Sequence, residues 1–182
     1  MPEIMVGVVP GLRRYRSLIL GQSQLLYDQC ASSILAAISS LEEILMYDKP
    51  MLSLEQAQAA VTAMIADYNK DSNRRKVDMA VVDDAGNLLA YARMDRCLRP
   101  TFAIRKAYTS ALRGMDTLAF SQQLSTQNRS LESFGDPQLI ALPGGVVILK
   151  DGAVVGAIGV GGLPSGIDDQ SIAKAGLAAL NI

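Results

Sequence analysis

Apolar residues recur every three or four positions in the first third of the chain, which is the spacing of one helical face. Between Ser23 and Tyr47 they are Leu26, Cys30, Ile34, Ile38, Leu41 and Leu45. A second stripe of this kind begins after Ser53, which with Gln56 has the spacing of a capping box. Residues 1–22 show little periodicity and contain two prolines, so we predict an N-terminal arm followed by two helices.

From residue 77 onward the pattern indicates strands and turns. Residues 77–82 and 87–93 read as paired strands joined by Asp83-Asp84-Ala85-Gly86, whose residue types favour a turn. The two aspartates either shape this turn or supply carboxylates for acid–base work or for binding a metal. A second hairpin is predicted over 141–160, with an Asp-Gly turn at Asp151-Gly152.

Three further helices are predicted, over 101–112, 117–124 and 170–180, the last capped by Asp168 or Asp169. The order helix, hairpin, helices, hairpin, helix favours an α+β domain with an antiparallel sheet over a doubly wound parallel sheet. The edge strands of such a sheet are expected sites of subunit packing.

Composition limits the chemistry that the chain can perform. Its 182 residues include 17 basic and 18 acidic side chains and no histidine. Near-neutral charge argues against nucleic acid as a partner, and the missing histidine excludes serine–histidine catalysis and histidine-ligated metal. We therefore predict no metal site, and the lack of a long apolar segment predicts no membrane contact. The two cysteines, Cys30 and Cys97, lack metal-site spacing and suggest a cytoplasmic protein with reduced thiols.

Six short motifs occur together in an order that resembles one known family. They are Leu54-Glu55-Gln56-Ala57, Val81–Leu88, Arg93-Met94-Asp95, Ile104–Thr109, Pro143-Gly144-Gly145 and Gly156–Val160. Residues 51–182 thus resemble the GlcG/HbpS-like family, also called the haem-degrading or PduO C-terminal-like domain. The resemblance implies a profilin-like α+β fold with a five-stranded antiparallel sheet flanked by helices, to which residues 1–50 add an extra N-terminal helix. It also implies homo-oligomers, dimeric or larger, and a haem or corrinoid as cofactor.

The resemblance also implies a ligand for a haem iron. Without histidine, that role falls to a tyrosine, methionine, cysteine or hydroxyl group. Relatives sometimes use a threonine hydroxyl, and the matching stretch of this chain offers Thr109 and Thr117. Tyr108, Met94 and Cys97 lie near those segments in the sequence.

The leading hypothesis is a cytoplasmic protein that binds a small anionic organic ligand, and the resemblance implies a tetrapyrrole. Arg105 and Lys106 lie in the first turns of a predicted helix, where a cation opposes the helix dipole, so we expect a carboxylate partner or an anionic ligand there. The guanidinium of Arg105 suits carboxylates. Gly144 and Gly145 would offer backbone donors.

Two alternatives stay open. The first is a cofactor-free isomerase, cyclase or lyase that uses carboxylate, phenol and guanidinium chemistry, with Asp95 as the base and Tyr108 or Arg105 as the electrophilic partner. In the binding hypothesis, Asp95 and Tyr108 would instead orient the ligand. The second alternative is an accessory subunit that stabilises a partner enzyme through the helix at 23–46.

Overall fold

The computed structural model describes residues 29–37 and 49–182, and the chain divides between Lys49 and Pro50 into two units. In the first unit, residues 29–37 are helical and are called α1 here. The rest of the predicted arm and first helix lies outside the described residues, so the assignment of residues 1–50 stays a prediction. No helix in the described ranges is long and apolar enough to cross a bilayer.

The second unit is an α+β structure built on one antiparallel sheet, as the sequence predicted. Its elements are α2 (Leu54–Tyr68), β1 (Asp78–Asp83), β2 (Leu88–Arg93), α3 (Phe102–Arg113), α4 (Thr117–Thr126), a 3-10 helix (Leu131–Phe134), β3 (Gly145–Lys150), β4 (Ala153–Gly161) and α5 (Gly166–Ala178). The strand order is β2-β1-β4-β3. In the described residues the sheet therefore has four strands, and the implied fifth strand is wrong.

The segment that precedes β3 is held by α3 rather than by a neighbouring strand. The Ile140 N–H donates to Thr109 Oγ1 at 3.0 Å, and the Leu139 carbonyl accepts from Arg105 Nη2 at 3.0 Å. Side chains of α3 thus take backbone groups that a strand would offer to a neighbouring strand. The second hairpin was predicted to begin at residue 141, but β3 begins at Gly145, so residues 141–144 are not part of a strand.

Both predicted hairpin turns are present. The Asp83 carboxylate accepts hydrogen bonds from the N–H groups of Ala85 and Asn87 at 2.9 and 2.8 Å, so this side chain builds the first turn. In the second turn, Asp151 and Gly152 have φ angles of 51° and 81°. Positive φ at both central residues matches the twist that a two-residue hairpin turn needs.

Alternating strand residues divide the core between the two faces of the sheet. On one face Met79 and Val81 of β1 belong to a large cluster with α2 and α5. On the other face Ala80 and Val82 pack with Ala103, Ala107 and Ala111 of α3. The small side chains on this second face let α3 lie very close to the sheet.

Helix boundaries were predicted well except where a tertiary contact decides them. The capping box of Ser53 and Gln56 is confirmed at the start of α2. By contrast, α5 begins at Gly166 rather than at Gln170, and its N-cap residue is Ser165. The predicted cap at Asp168 or Asp169 is wrong, because Asp169 lies one turn inside α5 and pairs with a residue of α3.

Candidate functional site

One pocket of the second unit has a volume of about 720 Å³ and is strongly basic. Three short segments form it: the connection from α2 to β1, the loop after β2, and the loop after β4. Its lining residues are Arg74, Arg75, Lys76, Arg96, Leu98, Arg99, Gly162, Leu163 and Pro164. We call this the basic pocket, since five of these nine residues are cationic and none is acidic.

Two of the five cations are held by neighbouring residues of α2. Arg74 Nη1 lies 3.3 Å from Asp67 Oδ2 and donates to the Asp67 carbonyl at 2.7 Å. Hydrogen bonding to Lys70, opposed by some burial and aided by Arg74, lowers the pKa of Asp67. Lys76 Nζ donates to the Tyr68 hydroxyl at 3.3 Å. These contacts fix one wall of the basic pocket and partly neutralise it.

The other three cations have no acidic partner among the described residues. Arg75 and Arg96 are exposed and have no hydrogen bond or ion pair with any described residue. Arg99 lies over the ring of Phe102, with 5.9 Å between its Cζ and the ring centroid, and it has no carboxylate partner in the described ranges. Several like charges gathered without counter-charges favour the binding of an anion.

The loop that carries Arg96 and Arg99 is held in a strained conformation. Arg96 and Thr101 have φ angles of 63° and 82°, in the left-handed region that residues with a side chain rarely adopt. The buried Asp78 carboxylate fixes the end of this loop, accepting from the N–H groups of Thr101 at 2.8 Å and Ala103 at 3.3 Å. Burial raises the pKa of Asp78, against the opposing effect of these two hydrogen bonds.

A smaller cleft of about 170 Å³ adjoins the basic pocket, because Arg99 and residues 162–164 line both. At its wall lies a buried ion pair, in which Lys106 Nζ is 2.7 Å from Asp169 Oδ2. Lys106 Nζ also donates to the Val160 carbonyl at 2.9 Å. Burial raises the pKa of Asp169, and the neighbouring ammonium opposes this effect. We call this second space the Lys106 cleft.

The Lys106 cleft lies between α3, Pro143 and the loop after β2. Gly144 packs directly behind the ion pair with a φ of 119°, and a Cβ there would lie 2.7 Å from Lys106 Nζ. Gly145 is also buried, and its N–H donates to Thr117 Oγ1 at 2.9 Å. The backbone donor of Gly145 is therefore already used within the protein.

Three other predicted ligand-binding or catalytic residues of α3 contact the loop 136–140 and do not line this cleft. Arg105 donates to the carbonyls of residues 137, 138 and 139 at 2.9, 3.1 and 3.0 Å. Tyr108 donates to Asp136 Oδ2 at 2.9 Å, a bond that raises the pKa of the phenol. Thr109 Oγ1 donates to the Arg105 carbonyl and accepts from Ile140.

The structure does not bring Asp95 and Tyr108 together. Asp95 is exposed and follows the end of β2, whereas the Tyr108 ring packs on Gly86 in the turn before β2. A strand of six residues spans about 20 Å, so the two side chains lie toward opposite ends of the first hairpin. Their proposed roles stay predictions.

Periodicity and composition did not reveal the cations of the basic pocket, because these residues lie in irregular segments on either side of the first hairpin. The predicted hairpin itself indicates that these cations lie close together. The residues just before β1 and just after β2 meet at the open end of an antiparallel hairpin, so basic residues at 74–76 and 96–99 must lie near each other. In the described residues, no group of three or more cysteine, aspartate or glutamate side chains could hold a metal ion.

Comparison with known proteins identifies the family. A family model described as "Haem degrading protein HbpS-like" matches residues 52–178. GlcG of Escherichia coli strain K12 is 36% identical over 117 residues, which are 63% of this chain and 84% of GlcG.

Two solved structures are similar as well. A double mutant of HbpS from Streptomyces reticuli has a TM-score of 0.67 at 33% identity, covering 75% of this chain and 92% of that one. PduOC in complex with haem shares the fold, with a TM-score of 0.65 at 24% identity, over 72% and 96% of the two chains. This chain belongs to the GlcG/HbpS-like family.

Proposed function

We propose that this protein binds a small organic anion in the basic pocket. The observation that carries the proposal is the presence of three cations without a carboxylate partner among the described residues, Arg75, Arg96 and Arg99, around a space of about 720 Å³. That volume lies within the usual range of ligand pockets. Carboxylates would accept charge-assisted hydrogen bonds from the guanidinium groups.

Within this proposal the ligand is a tetrapyrrole that carries carboxylates, such as a porphyrin. Membership of a family described by haem degradation, and the haem complex of PduOC, support this choice of ligand. A profilin-like arrangement, homo-oligomers and a cytoplasmic location complete the proposal. No observation favours the enzyme or accessory-subunit alternatives over ligand binding.

The described residues offer few ligands for a haem iron, although they offer several cations for its carboxylates. The hydroxyl groups of Thr109, Thr117 and Tyr108 are engaged in hydrogen bonds, and Met94 packs against the core. Among the described candidates, this leaves Cys97, a half-buried free thiol between two pocket residues. Cys97 is not in the lining of the basic pocket, so it would hold the iron of a bound haem only after its side chain turns toward the ligand, and thiolate ligation would then set the electronic properties of the iron.

The proposal is tested by titrating the protein with haem, metal-free protoporphyrin IX and protoporphyrin IX dimethyl ester while absorbance and fluorescence are recorded. We expect both acids to bind and the uncharged ester to bind much more weakly. Arg75→Gln and Arg96→Asn should each weaken binding about tenfold, since each removes a charged hydrogen bond. Asparagine is chosen at position 96 because it tolerates positive φ.

Lys150→Gln is the matched control, because it removes one exposed positive charge at the β3–β4 turn. It should leave affinity unchanged. Cys97→Ser should alter the haem absorption band without changing the affinity for metal-free protoporphyrin. Equal binding of the ester and the acid, or full affinity in both arginine variants, would refute an anion site in the basic pocket.

A further inference from the structure

The Lys106 ammonium has an unused hydrogen-bond donor at the wall of the Lys106 cleft. An ammonium group has three N–H bonds, and two acceptors are present, Asp169 Oδ2 and the Val160 carbonyl. Lys106 is 3% exposed, so bulk water does not supply the third acceptor freely. Lys106 and Asp169 both line the cleft, which has room for a polar group of a ligand.

The charges on this wall favour a neutral ligand group. Lys106 and Asp169 neutralise each other, and a second carboxylate placed against the pair would be repelled by Asp169 at close range. The Asp169 carboxylate accepts from the Leu163 N–H at 3.0 Å and from the Gly162 N–H, and it retains one of its roughly four acceptor positions. A hydroxyl or a primary amide both accepts and donates, and it therefore satisfies both partners.

A glycine, Gly144, leaves the space that this ion pair occupies. A buried ion pair is often no more stabilising than well-packed apolar residues of similar size. Here Gly144 takes a φ of 119°, and a Cβ on it would lie 2.8 Å from the Asp169 Cβ and 2.7 Å from Lys106 Nζ. A buried ion pair that lines a cleft is a candidate functional site.

We propose that Lys106 and Asp169 bind a neutral hydroxyl or primary amide of the same ligand whose anionic end occupies the basic pocket. This inference rests on the proposed function, because Arg99 and residues 162–164 line both spaces. The ligand class is thus an organic anion that also carries a neutral hydroxyl or primary amide, such as a tetrapyrrole with both carboxylate and amide side chains. Lys106 contributes an N–H donor and Asp169 contributes an acceptor.

The test compares ligands that carry the same charge. Linear dicarboxylates of four to eight carbons are prepared as mono-amides and as mono-methyl esters, and each is titrated into the full-length protein by calorimetry. At the best chain length, the mono-amide should bind about tenfold more tightly than the mono-methyl ester, as one net hydrogen bond provides. The corresponding dicarboxylate should not bind more tightly than the mono-amide.

The double variant Lys106→Met/Asp169→Leu replaces the pair with apolar side chains, and it should abolish the preference for the amide. Arg96→Asn should weaken amide and ester alike. As a measurement on the wild type, the Lys106 Nζ resonance of ¹⁵N-lysine-labelled protein should shift with the mono-amide and not with the ester.

The possible failures can be told apart. If no member of the series binds, this inference is wrong, whereas the proposed function is decided separately by the protoporphyrin titration. If anions bind in an arginine-dependent way but amide and ester bind equally, the inference alone is wrong. An unshifted Lys106 resonance at saturating mono-amide would overturn it in the same way, whether or not the double variant folds.

Discussion

At the scale of single residues, Asp78 links the sheet to the basic pocket. One oxygen of its carboxylate accepts from Thr101 and Ala103, and the other is buried without a partner among the described residues. Tyr91 Oη lies 3.4 Å from the bonded oxygen. An incompletely satisfied buried carboxylate is tolerated here because it fixes the start of α3 and the end of the strained loop.

Asp78→Asn should change how stability depends on pH. Burial raises the folded-state pKa of Asp78 above its ordinary 3.8, so the folded protein keeps this proton to a higher pH than the unfolded chain does. The contribution of Asp78 is therefore fully present below about pH 3.8 and is lost as pH rises through the raised pKa. Relative to Asp78→Asn, the wild type should lose free energy of unfolding over that window.

Urea denaturation of both proteins across this pH range measures the difference. Asp95→Asn controls for the loss of one negative charge at an exposed position. If the wild type and Asp78→Asn have the same pH dependence, burial of the Asp78 charge does not affect folding.

At the scale of elements, the closeness of α3 to β4 determines where the Lys106 cleft forms. A Cβ on Gly159 of β4 would lie 2.0 Å from the Ala103 carbonyl and 2.7 Å from the Ala107 nitrogen. These are backbone atoms of α3, so they cannot move aside as a flexible side chain can. The glycine lets the helix approach the strand closely enough for Lys106 to reach the Val160 carbonyl.

Gly159→Ala should destabilise the fold by about 3 kcal/mol or more, because the added methyl group must push α3 away from the sheet. Gly152→Ala is the control, since Gly152 has a φ of 81° and nothing within 4 Å of its Cβ position. The control should cost only the left-handed backbone strain, about 1 kcal/mol. Chemical denaturation of both variants gives the comparison, and equal losses would contradict the close-packing explanation.

The elements themselves were largely predictable from the sequence. Local signals identified the capping box at Ser53, the Asp-Gly turn at 151–152 and all four strands of the sheet. The five-stranded sheet was inferred from the resemblance alone, and it failed. Residue patterning could not show that α3 side chains take the backbone groups of residues 139 and 140.

The candidate site was harder to predict because it depends on long-range contacts. Arg105 and Lys106 are adjacent and look equivalent in the sequence, yet they lie on different sides of α3. Lys106 meets the carboxylate partner that its helix position called for, whereas Arg105 binds three carbonyls. Which of the two residues forms an ion pair depends on long-range contacts that only the fold provides.

At the scale of the whole molecule, a net charge of −1 conceals a strong local asymmetry. Five cations from two segments that are distant in sequence gather around the basic pocket, with no acidic residue in its lining. Overall composition predicts no nucleic-acid partner, and it gives no sign of a local anion site. Such a site is sensitive to ionic strength, because salt screens exposed charges.

The most direct test of the anion site is to map it by nuclear magnetic resonance. ¹⁵N-labelled protein is titrated with protoporphyrin IX, and backbone amide shifts are followed. The account predicts that the perturbed amides cluster at residues 74–76, 96–99 and 162–163 around the basic pocket. Perturbations centred instead on the pocket of about 350 Å³ beside Arg105 and Asp136 would contradict it.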